Sequence, residues 1–203
     1  MPAVFHSRSR LKIGLVGGSF NPAHDGHIHV ALKARQQLGL DQIWWLVTPQ
    51  NPLKSSLGMA AHEKRLANAR KLVTPYPFLR VIEPESGLPS NYTYNTLKYM
   101  IKTMPFARLI WVMGADNLDQ FAQWYRHRHL TRLLPIAVID RPSYSFRAIA
   151  AGRRLLGRRK SVKKMRHAIA TRHINLPSWC FIAGQRNETS ATEIRQRTLG
   201  HGC

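Results

Sequence analysis

Two histidines, His24 and His27, stand three positions apart just downstream of paired glycines, in the run Gly17-Gly18-Ser19-Phe20-Asn21-Pro22-Ala23-His24-Asp25-Gly26-His27. Glycines let a backbone approach a ligand without interference from a Cβ, and the N–H groups of Gly18, Ser19 and Phe20 can then point at phosphate oxygens. The histidines straddle the start expected for a helix, so both imidazoles can face one anion that also feels the helix dipole. The chemistry this set suits is the binding and neutralisation of phosphate. A plain turn with surface histidines would explain a bare Gly-Gly pair, but it explains poorly two glycines, Asn-Pro and two histidines together after a first strand. Zinc is a weaker reading: no third His, Cys or carboxylate is spaced to complete a site.

The segments that must hold this loop alternate between strand length and helical period. Leu11–Val16 predicts a buried strand running into the glycine turn. His27–Leu38 predicts a helix with Ile28, Ala31, Leu32 and Arg35 on one side and Gly39 at its C-cap. Ile43–Val47, Leu79–Ile82, Leu109–Met113, Ile136–Ile139 and Trp179–Ile182 predict further strands. Ala60–Leu72, Tyr94–Met104, the basic stretch Phe146–Thr171 and Thr192–Leu199 predict helices. Such alternation specifies an α/β fold, a doubly wound and mostly parallel sheet with helices on both faces. Ligands of these sheets bind beyond the carboxyl ends of the strands. That rule points to Gly17–His27, Thr48–Lys54, the residues after Gly114, and Gly184–Arg195.

The 203 residues fit one domain, with 44% hydrophobic and 20% charged residues, which excludes disorder, collagen and coiled coil. Lys and Arg number 31 against 10 Asp and Glu, a net charge of +21 that points to polyanionic company. No run of about 20 apolar residues could span a membrane. The basic start Met1–Arg10 is followed by Ile13–Val16, which Gly17 stops too early for a signal peptide. Cys180 and Cys203 lack metal-type spacing, so a reducing cytoplasm is the expected home.

The Gly-Gly-Ser-Phe-Asn-Pro-x-His-x-Gly-His run resembles the signature of the HxGH nucleotidyltransferases, which opens a Rossmann-like domain. From about Lys12 to Leu199 the chain resembles, more closely, the bacterial nicotinate-mononucleotide adenylyltransferase family. Asn91–Leu97 is similar to that family's SYTxDTL segment, Met113–Asp116 with Trp124 to its GxD…W segment, and Thr189–Arg195 to its ISSTxIR element. The departures are Asn95 for aspartate, Thr189 for isoleucine and Ala191 for a second serine.

The resemblance implies adenylyl transfer from ATP to nicotinate mononucleotide, with Mg²⁺ carried on the ATP phosphates. It implies that His24 and His27 stabilise the transition state and that Gly17, Gly18, Ser19 and Phe20 cradle phosphate. Ser190, Thr192 and Arg195, at the start of the last helix, would meet the triphosphate, and the same residues also suit an ordinary N-cap. Lys54 is a further phosphate candidate, although an exposed lysine is more often simply solvated. Gly114 and Asp116 lie beyond a strand end, where the carboxylate could accept from a ribose hydroxyl or cap a helix from Asn117 to Phe121. The resemblance also implies that Trp124 stacks on the pyridine ring, with Tyr92 and Thr93 lining the pocket.

From Arg141 to Asn187 there is no Asp or Glu, while Arg and Lys crowd Arg153 to Arg166. A charged helical face over 145–172 is the default reading of such a run, and nucleic acid could bind there through phosphates alone. A basic nucleic-acid-binding protein on the same scaffold is therefore the competing class. Against it, a loop kept only as a relic gives no reason for the phosphate-shaped segment Ser190–Arg195. Nicotinamide-mononucleotide and phosphopantetheine adenylyltransferases are the alternatives within the enzyme class. Assembly into a homo-oligomer is compatible with everything above.

Overall fold

The computed structural model describes residues 10–49, 58–83, 92–140 and 145–183. Its strands are β1 (Lys12–Gly18), β2 (Gln42–Val47), β3 (Leu79–Ile82), β4 (Arg108–Gly114), β5 (Ile136–Ile139), β6 (Arg158–Arg159) and β7 (Ser178–Ile182). The helices are α1 (Asp25–Leu38), α2 (His62–Val73), α3 (Thr93–Thr103), α4 (Leu118–Phe121), α5 (His127–Leu130), α6 (Ser145–Leu155) and α7 (Val162–Thr171). The strands form one sheet in the order β3-β2-β1-β4-β5-β7-β6. Every pairing is parallel. The doubly wound α/β expectation is therefore met.

Strands buried on both faces read as continuous apolar runs, and β2 shows why. Its alternation sends Trp45 and Val47 to one face and Trp44 and Leu46 to the other. On the first face Ile28, Ala31, Leu66, Ala69, Met165 and Ile169 of α1, α2 and α7 complete a core. On the second, Leu97, Met100, Leu118, Phe121 and Ala148 of α3, α4 and α6 do the same. The strand order reverses at β1, whose neighbours are β2 and β4. In open α/β sheets that switch point is where ligands bind.

Several expectations need correction. Helix α1 begins at Asp25, two residues before the predicted start. Its buried side is Ile28, Val30, Ala31, Ala34 and Leu38, while Leu32 and Arg35 are exposed. Ala31 and Ala34 let the helix lie close to the sheet, so its inner arc centres on small residues and Leu32 falls beyond the edge. Gly39 does cap the helix, at φ 64°. The predicted basic helix over 145–172 is two helices. The chain turns out of α6 at Gly157, φ 87°, and forms the two-residue strand β6 before Ser161 caps α7 through the Lys164 N–H. The predicted last helix, Thr192–Leu199, lies outside the described residues. Among the described residues no helix is long and apolar enough to cross a membrane.

Cys180 sits in β7 with no exposure, and burial pushes its thiol up to about 12, with Arg159 pulling weakly the other way. At pH 8 on the order of one thiol in ten thousand would be ionised. Iodoacetamide at that pH should leave Cys180 unmodified in native protein and alkylate it once guanidinium unfolds the chain, as peptide mass mapping would show.

Candidate functional site

Helix α1 starts on a histidine cap. The His24 Nδ1 accepts from the Gly26 N–H at 3.1 Å, and the His27 Nδ1 accepts from the His24 N–H at 3.3 Å. This is the reciprocal capping box, built with imidazoles where Ser and Glu are usual. A ring nitrogen that accepts a hydrogen bond carries no hydrogen. Both neutral rings are therefore held as the Nε2–H tautomer, and the fold thereby presets two donors side by side. Their centroids lie 4.0 Å apart at 52°. His24 is buried, at 5% exposure, and His27 is half-buried against Phe20, centroids 4.8 Å apart. Asp25 in the first turn complements the dipole.

The glycine loop runs over the end of β1. Phe20 is itself core, 1% exposed and stacked on Trp45 at 4.9 Å. Its backbone is left-handed, φ 47°, a conformation that costs a non-glycine residue about 1–3 kcal/mol. Only its main chain is thus offered to a ligand. Gly18 donates no side chain to the turn, and a Cβ there would meet the Phe20 ring at an ordinary 3.4 Å. Gly17 is different. A Cβ on it would come within 2.4 Å of Trp111 Cη2, so packing against the indole by itself requires a glycine there.

Trp111 in turn supports the second half of the site. Trp124, half-buried, packs edge-on to Trp111 at 6.2 Å and tilted against Phe121 at 5.3 Å. Trp44, Trp45 and Trp111 are all core. Tyr92, at 42% exposure, stacks on Tyr125 at 4.6 Å, and Arg126 lies over the Tyr94 and Tyr125 rings. Thr93 is the first residue of α3, so its N–H is one of the donors that a helix start leaves without an intrahelical acceptor. Tyr125 and Arg126 were not singled out by sequence reasoning; they stand beside Trp124 in a run of aromatic and basic residues.

On the β1–β4 register, Lys12↔Arg108 through Val16↔Val112, Gly18 lies level with Gly114. The glycine loop and the turn after β4 therefore share one end of the sheet. Gly114 is extended, φ −69° and ψ 154°, and its carbonyl accepts from Asn117 Nδ2 at 3.4 Å. Asp116 lies inside a 3-10 turn, Ala115–Asn117, that precedes α4, so it does not cap a helix. Of the alternatives weighed for this carboxylate, the cap is removed. Lys54, Ser190, Thr192 and Arg195 lie outside the described residues.

One residue of the site was not anticipated. Arg65, 2% exposed on α2, donates through Nε to the Ala60 carbonyl at 3.0 Å and through Nη1 to Ser19 at 2.5 Å and Thr48 at 2.8 Å. Its Nη2 donates to the Pro49 carbonyl. Burial lowers its affinity for the proton below the arginine norm, and Glu63 opposes that shift. Asn21 ties the same loop down from the other side, Nδ2 donating to the Gly58 carbonyl at 3.1 Å and Oδ1 accepting from the Ala60 N–H at 3.2 Å. The signal for Arg65 was present: it falls four and eight residues before the buried Ala69 and Val73, on the apolar stripe of its helix.

A histidine-capped helix and a glycine loop at the switch point of a doubly wound parallel sheet place this chain among the Rossmann-like α/β proteins. More particularly, it belongs to the cytidylyltransferase-like family, which matches residues 15–197. It is 42% identical over 188 residues to a Methylorubrum extorquens protein named "probable nicotinate-nucleotide adenylyltransferase", covering 92% of this chain and 100% of the relative. A Parvibaculum lavamentivorans protein of the same name is 42% identical over 187 residues, 92% of each chain. Among solved structures, the Plasmodium falciparum nicotinic acid mononucleotide adenylyltransferase complexed with NaAD has a TM-score of 0.66 at 18% identity, covering 92% of this chain and 83% of that one. At that identity the likeness is one of fold.

Proposed function

We propose that the protein transfers the adenylyl group of ATP to nicotinate mononucleotide, forming nicotinate adenine dinucleotide and pyrophosphate in NAD biosynthesis. The observation that carries this reading is the capping box that holds two Nε2–H imidazoles over a glycine loop. The shared name of relatives 40% or more identical over nearly the whole chain supports the choice of substrate.

An oxygen of the mononucleotide 5′-phosphate attacks the α-phosphorus of ATP, and the bond from that phosphorus to the bridging oxygen breaks as pyrophosphate leaves. The nucleophile is already anionic, so the chain need supply neither a base nor a covalent intermediate. What lowers the barrier is alignment and donors aimed at developing charge. His24 and His27 would donate from Nε2 to oxygens of the reacting phosphoryl group, with the amides of Gly18, Ser19 and Phe20 beside them. Ser190, Thr192, Arg195 and Lys54 would hold the departing phosphates, and Asp116 would accept from ribose. Trp124, already braced by Trp111 and Phe121, would stack on the pyridine ring, with Tyr92 and the Thr93 N–H at the nicotinate carboxylate.

Among the described residues no group of three His, Cys, Asp or Glu could hold a metal ion. Mg²⁺ would arrive on the phosphates of ATP, where it would supply charge neutralisation for the leaving pyrophosphate. A cytoplasmic location fits both the cysteine usage and the substrates.

Purified protein given ATP, Mg²⁺ and one acceptor should release pyrophosphate with nicotinate mononucleotide and far less with the nicotinamide form. Release only with phosphopantetheine would move the substrate. Silence with all three acceptors would overturn the enzyme reading in favour of a polyanion-binding role for the basic segment.

A further inference from the structure

We propose that Arg65 is a positioning residue, which clamps the glycine loop from below so that the Phe20 N–H is presented to a phosphate oxygen; this rests on the adenylyl-transfer reading. Four of the five N–H groups of its guanidinium reach main-chain carbonyls in three separate segments. These are Ser19 after β1, Thr48 and Pro49 after β2, and Ala60 ahead of α2. A planar fork can bridge three segments at fixed angles, and a single ammonium cannot. Every hydrogen-bond acceptor it reaches among the described residues is a carbonyl, none a carboxylate, and the charge of Glu63 only partly offsets the cost of burying the cation. That is an expensive way to stabilise a fold and calls for another reason.

The reason lies in peptide geometry. The Ser19–Phe20 peptide is trans, so its C=O and N–H point in opposite directions across one plane. With the Ser19 oxygen drawn down to Arg65 at 2.5 Å, the Phe20 N–H faces away from the guanidinium. The left-handed φ of Phe20 completes the turn, and the Phe20 ring is anchored on Trp45 and against His27. Arg65 thus fixes one face of the peptide so that the other face can serve an anion. The same clamp ties that amide to the His27 ring of the capping box, which packs against Phe20. The positive charge under the loop favours an anion above it as well.

The test uses the full chain and inorganic pyrophosphate as the probe. In ¹⁵N-resolved spectra of the wild-type protein, pyrophosphate should shift the Phe20 amide strongly downfield at saturation. Arg65→Lys keeps the charge and loses the fork. It should remain folded by circular dichroism, weaken pyrophosphate binding at least about tenfold and lower kcat by about as much or more. Its KM for the mononucleotide should stay within about threefold. A loss of stability alone would not divide kcat from KM in that way. The inference is overturned if wild-type protein binds pyrophosphate with no movement of the Phe20 amide, a result independent of how any variant folds. It is equally overturned if folded Arg65→Lys matches wild type within twofold in both kcat and pyrophosphate affinity. Wild-type protein that neither binds pyrophosphate nor consumes ATP would overturn the functional reading itself, and this inference with it.

Discussion

His27→Asn is expected to melt within a few degrees of the wild-type protein and to release pyrophosphate roughly 10²–10³-fold more slowly. Asparagine places its Oδ1 near the position of the imidazole Nδ1, so it can still accept from the His24 N–H and keep the helix cap. It has nothing in place of Nε2–H, the donor that the proposed mechanism directs at the reacting phosphate. His27→Ala removes both functions. It should show the same kinetic loss and, in addition, a cap deficit of about 1 kcal/mol. Thermal melting and single-turnover kinetics on the two variants together separate the cap from the chemistry. Equal activity in His27→Asn and wild type would remove His27 from the mechanism and leave it as a structural cap.

Gly17→Ala is the other large effect, and it works through packing. The new methyl would sit 2.4 Å from Trp111 Cη2, closer than any relaxed contact, between two strands that are fixed in register. Overpacking of this kind costs about 1–3 kcal/mol. Trp124 packs edge-on against the indole, so a displaced indole would press on it. The variant should therefore lose stability in urea and also raise KM for the mononucleotide, while KM for ATP changes less. Trp111→Phe removes the atoms that clash. In the Gly17→Ala background it should return most of the lost stability, the non-additive result expected of residues in contact. A purely additive double variant would show that Gly17 answers to something other than the indole.

What the sequence made legible was local. The glycine–histidine run stands out as a candidate phosphate loop because its residue types and spacing are contiguous, and six of the seven strands are apolar runs. The seventh, Arg158–Arg159, is two charged residues long and carries no such mark; it pairs only because the chain returns beside β7. The inner face of α1 was misjudged because bulk was read as burial, whereas Ala31 and Ala34 approach the sheet and Leu32 does not. Arg65 was missed for a related reason. An arginine on a helix reads as solvated, and only three loops brought together in space supply the carbonyls that make its burial tolerable. The role of Gly17 depends on Trp111, ninety-four positions away, and no spacing within either segment relates them.

The sheet ends in β6, and among the described residues no strand pairs with its outer edge. Both of its residues are arginines, both exposed, in a chain of net charge +21. Two copies approaching edge to edge would bring four guanidinium groups together before any ladder could form, and so short a strand offers little ladder to gain. The segment thus protects the protein from the aggregation to which an open parallel sheet is exposed, and that protection should fade as salt screens the repulsion.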